Sequence, residues 1–481
     1  MADTFFWYDF ESTGIDPRRD RPLQVAGIRT DTELNEIAEP LCIDSQLSPD
    51  ILPHPQACLV TGIGPDRVMA GLPEAEFIER LHSEMIQPGT CSVGYNNLRF
   101  DDEMARFSFY RNFHDPYARE WQGGNSRWDL LDAMRAAHAL RPEGIEWPQQ
   151  DGFTSLRLEL LTAANGVDHG QAHDALADVR ATIAMARLLR QAQPRLYDYL
   201  LGLRNKRQVA SMIDLQGVRP LVHVSGRFGR ERQGVGVVLP LAWHPQNRNA
   251  LIVYDLAAPL ALLQDLDAEQ LRARLYTTND DLAPGEQRPG LKLVHINKCP
   301  VLADTKVLRP EDCTRLQIDL PALLAQADKL AGWRDQLLGK LHQVYSENSP
   351  DNGDEDAETL LYAGFINDQD RRLLPAIRQA GGEALSGTQW SLQDQRLQDL
   401  LFRYQARNFP ESLSPPQLDS WMQFCRQRLS GELPGAPRTL QVFSNELNAA
   451  LAQAGDEQKV LLKAWKSYSA ELAGYLKLSV K

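Results

Sequence analysis

Two acidic residues, Asp9 and Glu11, follow the aromatic run at residues 5–8. The aromatic residues favour a buried β-strand, in which side chains two positions apart point to the same face. The strand would therefore present two carboxylates on one face, roughly 6–7 Å apart at the backbone. Two like charges in an apolar setting are costly unless a proton or a cation lies between them. The pair therefore predicts a divalent metal site at the end of this strand.

Three other residues extend the pattern. Asp101 follows a strand-like segment and polar turn residues, at the expected start of a helix, where a carboxylate is also a common N-cap. Asp178 lies on the first turns of another helix, one residue from its apolar face. His173 precedes it by five residues, and a lone histidine at a helix entry is usually structural or exposed. Each residue is ambiguous when it is taken alone.

Together, the four carboxylates and the histidine fit a two-metal phosphodiester hydrolase. Two Mg²⁺ ions about 3.5–4 Å apart bind the attacking and leaving oxygens of an in-line displacement. Ligand sets made only of oxygen favour Mg²⁺ or Mn²⁺ over softer metals. An imidazole can accept the proton of the attacking water because its pKa lies near neutral pH. The predicted metal ligands are Asp9, Glu11, Asp101 and Asp178, and the predicted base is His173.

The composition is that of a globular protein of several domains. The chain has 481 residues, with 43% hydrophobic and 24% charged residues, which predicts two to four domains. No apolar stretch approaches the roughly 18 residues needed to span a membrane, and the first residues lack the basic region of a secretory signal. The six cysteines show neither metal-binding nor disulfide spacing. We therefore expect reduced thiols and a cytoplasmic location.

The net charge of −13 argues weakly against a nucleic-acid partner, because phosphate binding needs local positive charge. Metal-bound carboxylates can nevertheless form a phosphate site. Basic clusters also occur at residues 18–21, 204–207 and 227–232. Such clusters are more often solvated surface than binding sites, so the charge does not decide the substrate.

The pattern of elements divides the chain into three predicted domains. Residues 1–191 alternate strand-like segments (4–10, 23–29, 91–95) with helical ones, which predicts an α/β domain that ends near Pro194. Residues 195–347 contain short strands separated by Gly, Pro and Asn, with helical insertions, which predicts a small β-rich domain. The acidic run at 350–358 predicts a flexible linker. Residues 351–479 are helical in pattern and form the third predicted domain.

The motifs Asp-x-Glu (9–11), Asn-x-x-x-Asp (97–101) and His-x-x-x-x-Asp (173–178) resemble the DEDDh subgroup of the DnaQ-like exonucleases. Longer stretches resemble the bacterial exonuclease I family across essentially the whole chain; they are residues 95–103, 125–132, 221–226, 294–300 and 406–410. The resemblance implies an α/β fold with an RNase H-like exonuclease domain, an SH3-like β-barrel domain and an all-helical C-terminal domain. These are the three domains that the composition predicts.

The resemblance also implies the reaction. Family members degrade single-stranded DNA processively from the 3′ end to 5′-mononucleotides, in DNA repair and recombination, with two Mg²⁺ ions that Mn²⁺ can replace. Arg157 matches a family position that contacts the substrate, and Glu11 would also touch the substrate. From the residue alone, an arginine on a helix is normally a solvated side chain. A groove lined by basic and aromatic side chains would suit a single strand, because stacking tolerates any base.

A protein partner is implied as well. The family binds the acidic C-terminal tail of the single-stranded-DNA-binding protein in a basic pocket, and the matching positions are Arg141, Tyr199, Arg219 and Arg309. Asp304 lies near that pocket in place of an uncharged polar residue, which would weaken binding of the tail. A monomer is the default expectation, because no coiled-coil heptads occur in the sequence.

Two alternatives stay open at this point. An RNA-directed DEDDh enzyme would have the same five site residues, but such enzymes are usually single domains of about 200 residues. A catalytically inactive protein on this fold that binds single strands would need none of the five. Both alternatives can be tested by comparing DNA with RNA and by measuring metal binding.

Overall fold

The structure is a computed structural model that describes residues 3–170, 174–346 and 356–478. Its strands, in chain order, are β1 (Thr4–Ser12), β2 (Pro22–Thr30), β3 (Leu41–Asp44), β4 (Thr90–Gly94), β5 (Ser126–Asp129), β6 (Gln149–Gln150), β7 (Phe153–Thr154), β8 (Leu221–Val224), β9 (Val235–Trp243), β10 (Ala250–Asp255), β11 (Leu291–His295) and β12 (Val301–Asp304).

The α-helices, in chain order, are α1 (Pro55–Thr61), α2 (Pro65–Met69), α3 (Glu74–Met85), α4 (Asp101–Arg111), α5 (Leu130–Leu140), α6 (Leu158–Ala164), α7 (Ala175–Ala192), α8 (Pro194–Gly202), α9 (Lys206–Ser211), α10 (Ala261–Asp265), α11 (Ala268–Tyr276), α12 (Pro310–Arg315), α13 (Leu320–Ser346), α14 (Asp368–Gln379), α15 (Gly382–Gly387), α16 (Gln395–Asn408), α17 (Pro415–Ser430), α18 (Leu440–Gln453) and α19 (Asp456–Leu476). Short 3₁₀ turns lie at Ala118–Glu120, Gln122–Gly124, Arg230–Arg232, Asn279–Asp281, Thr305–Val307, Leu360–Ala363 and Pro410–Ser412.

The chain folds into two compact units. Unit 1 comprises Met1–Ser126, His169–Ile183 and Gly353–Lys481, and unit 2 comprises Arg127–Asp168 and Ala184–Asn352. The chain therefore enters unit 2, returns briefly to unit 1 through the start of α7, and comes back to unit 1 for its helical C-terminal part. No helix in the described ranges is both long and apolar enough to cross a membrane.

The sheet of unit 1 is mixed, and β1 is its central strand. The strands lie in the order β3-β2-β1-β4, with β1 antiparallel to β2 and parallel to β4. The pairing with β2 runs along β1 as far as Ser12, whereas the pairing with β4 covers only residues 4–7. One edge of β1 is therefore free of β4 over its last residues, including the acidic pair.

Apolar side chains on one face of β1 build the core beneath the sheet. Phe6, Tyr8 and Phe10 are buried in one cluster with Met104 and Phe109 of α4. Neighbouring rings on this face contact each other, with centroids 5.9 Å apart for Tyr8 and Phe10. Because side chains alternate along a strand, the same packing turns the acidic residues at positions 9 and 11 to the opposite face.

The C-terminal helices of unit 1 pack on its N-terminal part. Trp421 and Trp465 share an apolar cluster with Leu52 and Ile63, and the indole N–H of Trp465 donates to the carbonyl of Ile63 at 3.1 Å. The expected linker at 350–358 is wrong for its described end, because residues 356–358 are buried. Their carboxylates meet buried arginines of α16 and α17, so the end of the acidic run is an anchor.

Unit 2 contains an antiparallel sheet in the order β11-β10-β9-β8-β12. Its strands have four to nine residues and are largely buried, and helices α10, α11 and α13 follow or interrupt them, as the sequence predicted. Helix α7 ends at Ala192, and Pro194 occupies the first turn of a new helix, α8; the domain limit predicted near Pro194 stays a prediction. Proline suits that position because the amide it lacks would have no partner there.

Candidate active site

The acidic pair occupies the end of β1, where the strand has lost its β4 neighbour. Asp9 is half-buried and Glu11 is only 8% exposed. The amide of Phe10, which lies between them, donates to Oδ1 of Asp101 at 3.2 Å. The open edge of β1 therefore receives a third carboxylate from α4.

Asp101 is the first residue of α4 and does not cap it. The N-cap residue is Phe100, and no side-chain cap bond is made there. The alternative interpretation of Asp101 as a capping residue is therefore wrong. Its carboxylate instead contacts the backbone of β1.

Asp178 brings a carboxylate from the first turn of α7 to the same place. One oxygen from each of Asp9, Glu11 and Asp178 can be chosen so that all three lie within 4.8 Å of one another. This spacing suits a shared cation, because hard divalent ions bind several carboxylate oxygens at once. The structure thus brings the carboxylates of Asp9, Glu11 and Asp178 within this distance. Asp101 is not one of these three, and it lies beside β1 through its contact with the Phe10 amide.

The charges in the cluster oppose ionisation. Burial, and then the carboxylates of Asp101, Glu11 and Asp178, raise the pKa of Asp9 well above its ordinary value. Burial also raises the pKa of Glu11 to about 8, with further contributions from Asp178 and Asp101. Carboxylates that repel one another in this way are stabilised by a divalent cation that lies between them. The residues therefore fit a divalent metal.

The predicted base, His173, lies outside the described residues. The imidazole found in the cluster belongs to His169, whose Nε2 is 2.5 Å from Oδ1 of Asp178. Sequence reasoning did not single out His169, although it lies four residues before His173 in the same polar segment. It also missed Asp174, whose charge contributes to the raised pKa of Glu11.

The turn after β1 holds the strand end in place through Asp20. This carboxylate accepts from the hydroxyl of Thr13 at 2.8 Å and from the amide of Asp16 at 2.9 Å. Gly14 allows the close approach, since a Cβ there would lie 2.5 Å from an oxygen of Asp20. A side chain at residue 14 would therefore displace the Asp20 carboxylate, which holds this turn.

The remaining predicted residues belong to unit 2. Arg157 is exposed and forms the N-cap position of α6. Arg141 and Arg309 converge on the buried carboxylate of Asp312, at 3.2 and 2.9 Å. The hydroxyl of Tyr199 donates to the carbonyl of Leu302 at 2.6 Å.

Arg219, the fourth residue of the predicted tail pocket, is 77% exposed and pairs with Asp214 at 3.3 Å. Of the four predicted tail-binding residues, Arg141 and Arg309 therefore share one partner, Asp312. Asp304, the residue expected to weaken tail binding, caps the 3₁₀ turn Thr305–Val307 through the amide of Lys306.

Family models match the chain in succession. The model described as "Exonuclease" matches residues 6–186, "Exonuclease I SH3-like domain" matches residues 204–347, and "Exonuclease I C-terminal domain" matches residues 355–472. The first match contains most of β1 and the carboxylate cluster. Fold and site together therefore define an exonuclease.

Similarity to known proteins extends over the whole chain. Exodeoxyribonuclease I of Escherichia coli (strain K12) is 47% identical over 476 residues, which are 98% of each chain. A structure of E. coli exonuclease I in complex with a dA16 oligonucleotide is similar with a TM-score of 0.93 and 46% identity, covering 98% of this chain and 100% of that one. A zinc-bound form of the E. coli ExoI–ssDNA complex gives a TM-score of 0.92, at 46% identity and the same coverage. The chain belongs to the exodeoxyribonuclease I family.

The predicted family, fold class and enzyme class are confirmed. The chain is an exodeoxyribonuclease with an exonuclease domain, an SH3-like domain and a helical C-terminal domain. The domain limits 1–191, 195–347 and 351–479 and the roles of individual residues stay predictions.

Proposed function

We propose that the carboxylates of Asp9, Glu11, Asp101 and Asp178 hold two Mg²⁺ ions, at which the chain hydrolyses single-stranded DNA from the 3′ end. The convergence of three carboxylate oxygens within 4.8 Å at the end of a buried strand carries this proposal. Exonuclease action with 3′–5′ polarity on single-stranded DNA is the activity of the family to which the chain belongs. The proposal adds which residues perform it, and with which metal.

Dependence on a divalent metal ion follows from family membership, since solved relatives include a zinc-bound form and a metal-free form. Magnesium is our inference from the ligand chemistry. The donors are carboxylate oxygens, and the described cluster contains no cysteine, so a hard cation such as Mg²⁺, or Mn²⁺ in its place, suits it. When bound, such ions stabilise the charge that develops on the attacking and leaving oxygens of the phosphodiester.

The other proposed roles concern the proton and the strand. His173 accepts the proton of the attacking water, because an imidazole titrates near neutral pH. Glu11 and Arg157 contact the substrate, with Arg157 supplying a charge-assisted hydrogen bond to phosphate. The products are 5′-mononucleotides, released processively in DNA repair and recombination.

The replacement of Asp9 by asparagine tests the site. We expect Asp9→Asn to remove at least about 99% of the exonuclease activity, because a carboxylate at the centre of the cluster is lost. The measurement is release of mononucleotides from a 3′-labelled single-stranded DNA with Mg²⁺, with an RNA oligomer of equal length in parallel. Asp66→Asn is the matched control, since Asp66 is exposed on α2. Full activity of Asp9→Asn, or faster cleavage of RNA than of DNA, would contradict the proposal.

Two neighbouring arginines in unit 2 support a second proposed partner, the acidic C-terminal tail of the single-stranded-DNA-binding protein. Arg141 and Arg309 lie side by side on Asp312, and this pair of guanidinium groups can bind carboxylates in a bidentate manner. Tyr199 and Arg219 complete the proposed pocket. Binding of a fluorescent acidic peptide, and its loss in Arg141→Ala, measures this partner independently of catalysis.

The cellular setting and the assembly state are also proposals. The six cysteines, all within the described residues, form no disulfide bond, which suits the reducing cytoplasm. We propose a cytoplasmic monomer with the three domains 1–191, 195–347 and 351–479. Sedimentation of the purified chain would show the assembly state.

A further inference from the structure

A chain of buried polar side chains lies directly behind the carboxylate cluster. The hydroxyl of Tyr8 donates to Oδ1 of Asp102 at 2.5 Å, and Nη2 of Arg119 donates to the same oxygen at 2.6 Å. The guanidinium of Arg119 also lies over the ring of Tyr8, 5.8 Å from its centroid. The three residues come from β1, from α4 and from the 3₁₀ turn Ala118–Glu120. Their contacts connect β1, α4 and this 3₁₀ turn, which all belong to unit 1.

Burial of the Asp102–Arg119 ion pair costs free energy. Asp102 and Arg119 are 0% exposed, and Nε and Nη1 of Arg119 have no hydrogen-bond partner within the described structure. A buried ion pair is often no more stable than apolar side chains of similar volume, and each unsatisfied buried donor weakens the fold further. Stability alone therefore does not account for a charged pair at this place.

The sequence neighbours of the pair give it a position in the site. Tyr8 immediately precedes Asp9, and Asp102 immediately follows Asp101. The bond between the Tyr8 hydroxyl and Asp102 therefore ties the same two backbone segments that carry the two carboxylates. The bond from the Phe10 amide to Asp101 is a second tie between them, at 3.2 Å. Two ties fix the first turn of α4 against β1 more tightly than one.

The charge of Arg119 serves the same site. Asp102 would otherwise add a further buried anion beside carboxylates that already repel each other. Arg119 neutralises it, and the turn that carries Arg119 is held to α4, because Arg106 binds Glu120 with two nitrogens at 2.7 and 2.9 Å. Asp102 can thus act as an anchor without adding to the negative charge of the cluster.

We propose that Tyr8, Asp102 and Arg119 form a positioning unit that fixes Asp101 relative to Asp9, and so sets the affinity of the site for divalent metal. This inference rests on the proposed metal site. The three residues are positioning residues, because they act through the carboxylates. Residues that orient metal ligands typically change metal affinity by about 10- to 100-fold when they are replaced.

The conservative change Tyr8→Phe tests the unit, because it removes only the hydroxyl. Tyr110→Phe is the matched control: Tyr110 is equally buried, lies on α4, and its hydroxyl donates to the carbonyl of Ala357 at 3.0 Å. Both variants lose one buried hydrogen bond, and thermal unfolding measures the stability that each of them loses. Binding of Mn²⁺ alone is measured by calorimetry, and the Mn²⁺ dependence of kcat and KM is measured on single-stranded DNA.

We expect Tyr8→Phe to weaken Mn²⁺ binding about tenfold, to raise the Mn²⁺ concentration for half-maximal kcat by the same factor, and to leave KM for DNA unchanged. Tyr110→Phe should match the wild type in all three. If Tyr8→Phe binds Mn²⁺ like the wild type while Asp9→Asn is inactive, the positioning unit is refuted and the proposed site stands. If Asp9→Asn is active, the proposed site itself fails.

Discussion

The replacement of Glu11 by glutamine should stabilise the metal-free protein at alkaline pH, although it should also remove the activity. Glutamine has nearly the same shape as glutamic acid but carries no charge at any pH. In the folded chain Glu11 is buried, and beside it lie the carboxylates of Asp178 and Asp101. Its ionised form is therefore destabilised relative to the unfolded chain, where the carboxylate is surrounded by water.

The raised pKa of Glu11 gives the size and the sign of the effect. The difference between its ordinary value of 4.5 and about 8 corresponds to about 5 kcal/mol. Because the folded state binds the proton more tightly than the unfolded state, this part of the stability falls as pH rises from about 4.5 to about 8. Neighbouring carboxylates also take up protons and relieve part of the repulsion. We therefore expect Glu11→Gln to gain about 2–3 kcal/mol above pH 8 and almost nothing below pH 4.5.

Urea unfolding in EDTA between pH 4.5 and pH 9 measures the effect on the first unfolding transition of the full chain. Glu76→Gln is the control, since Glu76 is half-exposed and pairs with Arg80 on the surface of α3. With saturating Mn²⁺ the wild type should become more stable than Glu11→Gln, because the wild type is stabilised by the ion that it binds. If the free energies of unfolding of Glu11→Gln and the wild type differ by the same amount at all pH values, the reasoning that the buried carboxylates repel each other is refuted.

Two further changes test charges outside the cluster. Glu358→Gln should destabilise the chain by about 3–5 kcal/mol without changing Mn²⁺ affinity, because Glu358 is 1% exposed and pairs with Arg407 and Arg428 at 2.6 and 3.2 Å. Urea unfolding measures the stability and calorimetry measures the Mn²⁺ affinity; an unchanged unfolding midpoint would contradict the prediction. Glu143→Gln should tighten binding of an acidic tail peptide about two- to fivefold, because the Glu143 carboxylate pairs with Arg309 at 2.9 Å and would compete with the peptide. Fluorescence anisotropy measures the affinity, and weaker binding would show that Glu143 does not compete.

The acidic pair could be predicted from the sequence because a strand has a simple period. Aromatic residues at positions 5–8 indicate burial, and two charges in alternate positions then have to share a face. The same local reasoning predicted the helices that carry Asp101 and Asp178. A short range of sequence was sufficient in each case, because each conclusion concerned one element.

Contacts between distant elements were beyond such reasoning. Nothing local to Tyr8 predicts that its hydroxyl meets a residue 94 positions later in the chain. The role of His173 stays a prediction, because this residue lies outside the described residues. The contact of His169 with Asp178 was not predicted, because spacing alone does not say which side of a loop faces the helix. These contacts depend on tertiary packing, which no single segment encodes.

The acidic run at 350–358 was predicted to be exposed, and its described end is buried. Its composition predicts a solvated linker, since charges are seldom buried. Asp356 and Glu358 are nevertheless buried, because Arg403 and Arg428, far along the chain, supply the compensating charge. Composition reports the average environment of a residue type, and a buried ion pair is the case in which that average fails.

The location of the site follows from the unequal pairing of β1. Its neighbour β4 ends at Gly94, and a Cβ at that residue would lie 2.7 Å from Cβ of Asn97 and 3.0 Å from the carbonyl oxygen of Tyr8. Glycine therefore lets the chain turn sharply away from β1 and begin α4 only seven residues later. That turn leaves the Phe10 amide without a strand partner and delivers Asp101 to it. The early end of β4 thus creates both the open edge and the carboxylate that fills it.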